Sequence, residues 1–114
     1  MGGPRMTIQT QAVLGALLAT DGEVYGLQIV RASGLAAGTI YPILQRLRSA
    51  GWIVARWEPE EQAWAEHRPP RRYYELSPQG RARAFNALTA SRTRHGNLSR
   101  LLDLVDPGSA RPVE

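Results

Sequence analysis

Apolar side chains recur at helical spacing in three successive segments of the first half of the chain. They are Val13, Leu14, Leu17 and Leu18 in the first segment, Leu27, Ile29 and Val30 in the second, and Ile40, Ile43, Leu44 and Leu47 in the third. Each set falls on one face of an α-helix, so each segment is predicted to be a helix with a buried side. Thr7 is suited to cap the first helix, and Gly22, Gly34 and Gly51 are the expected C-terminal breakers.

The second and third predicted helices are separated by a short turn containing Gly34, which is the spacing of a helix-turn-helix. In that motif the second helix usually enters the major groove of DNA. Pro42 lies within the third helix, and a proline costs least near a helix start, where a backbone N–H is unpaired in any case. This helix is therefore predicted to begin close to residues 37–39 and to carry a polar face opposite its apolar stripe.

Residues 52–57 and 71–76 are rich in β-forming side chains and are predicted to be two strands. Residues 58–70, with three prolines, are predicted to be a polar loop between them. Two strands and a loop after a helix-turn-helix make the wing of a winged helix. Ser77 as an N-cap and Pro78 at the first helical position then mark a last helix. Its expected apolar face is Ala82, Phe85 and Leu88.

Apolar positions return after residue 97 and exceed what one small domain can cover, so we predict that a second copy of the chain buries them. The predicted dimer contacts are Leu14, Leu88, Leu98, Leu101, Leu102 and Val105. Each buried Leu is worth roughly 1.5–3 kcal/mol, so such a set can hold a dimer. The alternative is that the last helix folds back on its own domain.

The predicted fold class is mainly α with a small β-wing: a winged helix-turn-helix plus a C-terminal dimerisation helix. The predicted boundaries are a disordered leader at 1–6, a winged-helix domain at 7–76, a dimerisation helix at 77–106 and a disordered tail at 107–114.

The composition and the motifs of the chain narrow the range of functions it can have. The 114 residues carry a formal net charge of +4, and every basic side chain is Arg, a residue suited to phosphate and guanine. There is no Cys, which excludes disulfides and thiol catalysis, and no apolar run approaches the ~20 residues of a membrane helix. His67 and His95 lack metal-ligand spacing, and no phosphate loop or nucleophile motif is present. We therefore expect no catalytic residue, metal or cofactor, and no enzyme.

Two groups of residues resemble the PadR family of transcriptional regulators. They are Gly38-Thr39-Ile40-Tyr41-Pro42-Ile43-Leu44 with Arg46-Leu47 and Ala50-Gly51-Trp52, and Pro70-Arg71-Arg72-Tyr73-Tyr74 with Leu76-Ser77-Pro78-Gln79-Gly80. The resemblance covers about residues 7–88 and is to the short branch with one C-terminal helix. It implies a homodimeric repressor in the bacterial cytoplasm, associated with the nucleoid and bound to a palindromic operator. Some members bind aromatic effectors between Trp residues of the last helix. That helix has no Trp here, so an effector is not identified.

The polar face of the third helix carries groups that recognise double-stranded DNA. Gln pairs with adenine and Arg with guanine, while hydroxyl groups more often hold phosphates. Arginines at the end of the wing loop are placed to reach the minor groove or its phosphates. The predicted contacts are Thr39, Tyr41, Pro42, Gln45, Arg46, Arg48, Arg68, Arg71 and Arg72. The wing loop also holds four Glu, which phosphate would repel. This acidic loop favours the alternative, a winged-helix module for protein–protein interaction without DNA binding.

Overall fold

A three-stranded antiparallel sheet and three helices enclose the core in a computed structural model of the chain, in which residues 3–90 are described. In chain order the elements are α1 (Ile8–Leu18), β1 (Val24–Tyr25), α2 (Gly26–Ser33), α3 (Ala37–Ser49), β2 (Ile53–Trp57), α4 (Glu60–Ala65) and β3 (Arg72–Leu76). A fifth helix, α5, begins at residue 78 and reaches residue 90, the last one described. The predicted class, mainly α with a small wing, is confirmed.

Helix α1 begins as predicted, because the Thr7 hydroxyl oxygen accepts a hydrogen bond from the backbone N–H of Thr10 at 3.1 Å. Its predicted end at Gly22 is wrong. The helix stops at Leu18, where the Thr20 hydroxyl donates to the Ala16 carbonyl at 3.2 Å and the Thr20 N–H turns back to the Leu17 carbonyl. This local bonding competes with the helical pattern and closes the last turn.

Helix α3 begins at Ala37, as the position of Pro42 predicts, and its apolar stripe of Ile40, Ile43, Leu44 and Leu47 is buried. Pro42 is the sixth residue of α3, so it cannot donate to the carbonyl of Gly38. Gly38 is exposed, so water can satisfy that carbonyl.

Helix α2 departs from its predicted pattern at one position. Leu27 was expected in the core but is 48% exposed, while Gly26 and Ile29 are buried. Gly34 ends α2 as predicted. It adopts the left-handed conformation with φ 75°, which glycine accepts without steric cost.

The sheet has the order β1-β3-β2, and its edge strand β1 is absent from the sequence prediction. Val24 pairs with Tyr74 in register, and Tyr74 also faces Ala55 of β2. Two residues carry no recognisable strand pattern of their own. The strand exists because β3 offers it hydrogen bonds and because Val24 is buried in the core.

The predicted loop at 58–70 is also wrong in part, since it contains α4. The segment after Pro59 consists mostly of good helix formers, and Glu60 and Glu61 in its first turn suit a helix N-terminus. The only buried side chain of α4 is that of Ala63.

The start of α5 is confirmed, but its buried face differs from the predicted one. The Ser77 hydroxyl oxygen accepts a hydrogen bond from the Gly80 N–H at 3.0 Å. The side facing the core carries Gly80, Ala84 and Leu88, whereas Phe85 is 63% exposed. A Cβ at Gly80 would overlap the Trp52 carbonyl oxygen and lie 2.6 Å from its carbon, so only glycine lets α5 approach this closely.

One of the predicted dimer contacts lies in the core of its own domain instead. Leu14 is fully buried in the domain's own core and is not available to a partner, while Leu88 packs against that core and is partly exposed. The other predicted contacts, Leu98, Leu101, Leu102 and Val105, lie outside the described residues, as does the predicted tail. Of the predicted leader, Met6 packs partly on the core. Across residues 3–90, no helix has the length and apolar character needed to cross a bilayer.

Candidate nucleic-acid interface

Helix α3 has two opposite faces. Its apolar stripe is buried in the core, and six of the predicted DNA contacts lie on the exposed remainder of the helix. These six are Thr39, Tyr41, Pro42, Gln45, Arg46 and Arg48. The helix is thus anchored by one side and displays polar groups on the other, as a recognition helix must.

The exposed face divides into a centre and two flanks. At ~100° per residue, Pro42 and Gln45 lie opposite the buried stripe. Tyr41 and Arg48 flank them towards the wing, where they line a cleft of about 160 Å³ with Arg72. Arg46 belongs to the other flank and lines a separate depression with Pro42 and Gln45. Arg46 and Arg48 therefore lie on opposite flanks of the exposed face of α3.

Three of these side chains have no partner within the part of the chain that the structure describes. No hydrogen bond or ion pair with a residue in 3–90 engages the Thr39 hydroxyl, the Gln45 amide or the Arg46 guanidinium. Their donors and acceptors face solvent. An external ligand can therefore bind them without breaking an internal contact.

Tyr41 borders a groove of about 620 Å³ between the first turn of α2, helix α3 and the wing. The Tyr41 side chain is 45% exposed. Across the groove lie further aromatic rings and the wing arginines, and no carboxylate is among the lining residues. These include Tyr25, Trp57, Tyr74, Arg71 and Arg72. Burial raises the pKa of the Tyr74 phenol.

Arg71 and Arg72 are held by aromatic rings. The Arg71 guanidinium lies 4.0 Å from the ring centre of Tyr25, and that of Arg72 lies 5.0 Å from the ring centre of Trp57. Trp57 and Arg72 are paired in register across β2 and β3. A cation stacked on a ring keeps its in-plane N–H donors, so both arginines remain able to bind phosphate.

Two other arginines of the sheet and wing are neutralised by ion pairs. Arg68 binds the Glu58 carboxylate at 2.6 and 2.9 Å and also meets Glu66 at 3.3 Å. The Arg56 guanidinium donates two hydrogen bonds to the Glu23 carboxylate, at 2.5 and 2.7 Å. The hydrogen bonds from Arg68 hold the pKa of Glu58 at about 2, so this pair is fully charged at neutral pH. Arg68 is thus not the free arginine that the sequence suggested; it ties the wing connection together.

Sequence reasoning missed the aromatic supports of the wing arginines. The sequence assigns Tyr25 no part in the interface and predicts Trp57 only as a strand residue. Their roles depend on the register of β1 and β2 against β3, in which Tyr25 lies opposite Tyr73. No local pattern reports that register, because the two-residue strand β1 has no recognisable pattern of its own.

Solved structures share this fold. A PadR family regulator from Clostridium difficile R20291 matches with a TM-score of 0.70 and 20% identity, over 84% of this chain and 99% of that one. A PadR-like regulator from Bacillus cereus strain ATCC 14579 matches with a TM-score of 0.64 and 19% identity, over 83% and 91%. PadR of Bacillus subtilis in complex with operator DNA matches with a TM-score of 0.59 and 22% identity, over 75% and 48%.

The match at the level of sequence is to a family rather than to an individual protein. No curated protein matches the chain. The model of the transcriptional regulator PadR-like family matches residues 13–86, which include α2, α3 and both wing strands. The family comprises regulators and not enzymes, in agreement with the prediction from composition. The chain belongs to the PadR-like family of transcriptional regulators.

Proposed function

We propose that this protein is a dimeric repressor that binds a palindromic DNA operator in a sequence-specific manner. The observation that carries the proposal is the exposed face of α3. Thr39, Gln45 and Arg46 project from it without a partner among the described residues, and the buried stripe fixes the helix behind them.

The residues of the interface have different proposed roles. Gln45 and Arg46 read base edges, because an amide and a guanidinium can each form bidentate pairs there. Thr39 and Tyr41 hold phosphates through their hydroxyls, and Pro42 lets the helix approach closely because it adds no polar group to desolvate. Arg48, Arg71 and Arg72 bind the DNA backbone on the side of the interface that faces the wing. Arg68 acts through the shape of the wing, since Glu58 occupies its guanidinium.

Dimerisation would set two α3 helices about 34 Å apart, one for each half-site. Large apolar side chains remain uncovered on the described part of one chain: Ile8 is 77% and Phe85 63% exposed. We propose that the partner contacts Leu88, Leu98, Leu101, Leu102 and Val105.

Sedimentation equilibrium tests the dimer and should give a dimer for the wild type and a smaller species for Leu101→Asp. A monomeric wild type would contradict the proposal.

A selection from a pool of random duplexes tests DNA binding directly. We expect enrichment of an inverted repeat whose half-sites are about one helical turn apart, with affinity that falls steeply as salt rises. Enrichment of no sequence at low salt would contradict the proposal. We propose that the protein, as a bacterial operator-binding regulator, acts in the cytoplasm in association with the nucleoid.

One observation favours the alternative of a protein–protein interaction module. The wing helix α4 carries Glu60 and Glu61 and exposes 70% of Trp64, a surface that would repel phosphate and suit a protein partner. A failure to bind DNA at low salt, together with binding to a protein through Trp64, would favour this second function.

A further inference from the structure

The hydroxyl group of Tyr41 occupies the place where a side chain at Gly26 would lie. An ideal Cβ built on Gly26 would overlap the Tyr41 hydroxyl oxygen and lie 2.9 Å from Cζ and 3.1 Å from Cε1. Gly26 is the first residue of α2, is buried, and does not have a positive φ. The backbone there accepts any L-residue, so the Tyr41 ring is what a side chain at this position would meet.

Tyr41 stands at the junction of the surfaces proposed to meet DNA. Its ring borders the groove towards the wing, the cleft with Arg48 and Arg72, and the depression with Gln45 and Arg46. Its orientation therefore shapes all three. Among residues 3–90 no hydrogen bond fixes its hydroxyl, so contact with the first turn of α2 is what positions the ring from that side.

The ring can yield where a backbone cannot. A methyl group at Gly26 would meet the far end of a half-exposed side chain, and the ring can turn into the adjoining groove. At Gly80, by contrast, the added group would meet the backbone of Trp52, whose N–H donates to the Leu47 carbonyl and whose carbonyl accepts from the Ser77 N–H, each at 2.9 Å. A substitution at Gly26 should therefore preserve the fold and displace the ring.

We propose that Gly26 is a positioning residue for DNA recognition. Because Gly26 has no side chain, the Tyr41 ring can lie against α2, and this position of the ring sets the surface that α3 shares with the wing. The proposal rests on the proposed function, because it assigns Gly26 a role in operator binding.

A double-mutant cycle between Gly26→Ala and Tyr41→Ala tests this role, with affinity measured for the duplex that the wild type selects. We expect each single variant to lose roughly tenfold in affinity. We expect the double variant to bind no more weakly than Tyr41→Ala alone, because the methyl group acts only by moving the ring. Gly15→Ala is the matched control, since it also adds a methyl group to a helical glycine but meets nothing within 4 Å.

The outcomes separate the role of Gly26 from the proposed function. Wild-type affinity in Gly26→Ala would overturn the positioning role alone, and so would a loss from Gly26→Ala that is equally large with and without the Tyr41→Ala substitution. Failure of the wild type to bind any duplex would overturn both the positioning role and the proposed function.

Thermal unfolding supplies the second readout. The midpoint of Gly26→Ala should stay close to that of the wild type, because the ring can move aside. A large fall that Tyr41→Ala does not relieve would also contradict the proposal, because it would place the clash on the backbone.

Discussion

The Glu58 carboxylate accepts two hydrogen bonds from the Arg68 guanidinium, at 2.6 and 2.9 Å, across the connection between β2 and β3. The same carboxylate accepts the backbone N–H of Arg71 at 3.1 Å. Glu58 is buried, at 6% exposure. One acidic residue therefore fixes both the end of the connection and the start of the segment that carries the wing arginines.

The stability supplied by Glu58 should depend on pH. Its pKa is lowered from 4.5 to about 2 in the folded chain, so its contribution is complete above about pH 4.5 and is lost as the pH falls towards 2. Glu58→Gln should lower the midpoint of thermal unfolding at pH 7, and its deficit relative to the wild type should shrink between pH 5 and pH 2. Glu60→Gln, at an exposed position, serves as the control. A deficit that is independent of pH would contradict the role of the charged pair.

Gly80→Ala should destabilise the fold. The added methyl group would overlap the Trp52 carbonyl oxygen, and neither α5 nor β2 can move away without losing core contacts. Overpacking of this kind costs about 1–3 kcal/mol, which urea unfolding would detect. Gly15→Ala should instead stabilise α1 slightly, because its methyl group meets open space and alanine favours a helix. Equal stabilities for the two variants would refute the close approach of α5.

Arg72 and Arg68 should differ in what their loss affects. Arg72→Ala should weaken operator binding for all sequences and lower the salt dependence by about one phosphate contact. Arg68→Ala should chiefly lower the unfolding temperature, because it leaves the buried Glu58 carboxylate without its ion-pair partner. Titrations over a range of salt concentrations and thermal scans of both variants distinguish these effects. The same salt slope for wild type and Arg72→Ala would exclude a phosphate contact.

Arg46→Ala should cost about 1–3 kcal/mol in operator binding and relax the preference at one base pair of each half-site. Arg83 is an exposed arginine of α5, and Arg83→Ala removes the same charge away from α3. Repeating the selection with both variants checks the assignment. A loss that is equal for the two variants would indicate a general effect of charge.

The helix-turn-helix could be predicted from sequence because its determinants are local. The stripe from Ile40 to Leu47 has helical spacing, and Pro42 limits where α3 can begin. The exposed face follows from the buried one. The N-cap of α5 at Ser77 is local in the same sense, since its hydroxyl meets an N–H three residues away.

The remaining features depend on contacts that sequence spacing does not report. Strand β1 needs β3 as a partner, and α4 buries only the side chain of Ala63, so it has no apolar stripe that periodicity could reveal. Periodicity favoured Phe85 as a core residue, but the close approach at Gly80 turns Ala84 inward instead. The pairing of Arg68 with Glu58 joins residues ten positions apart across the connection that contains α4, a contact that sequence spacing does not report.

The ratio of affinities for the selected duplex and for a shuffled duplex of the same composition tests most directly whether α3 reads DNA sequence. We expect the wild type to prefer the selected duplex by at least about 10³-fold. Gln45→Ala should reduce that preference by about 1–3 kcal/mol and leave the affinity for the shuffled duplex unchanged, because Gln45 lies at the centre of the exposed face. Equal wild-type affinity for both duplexes, or an unchanged ratio in Gln45→Ala, would contradict recognition through this face.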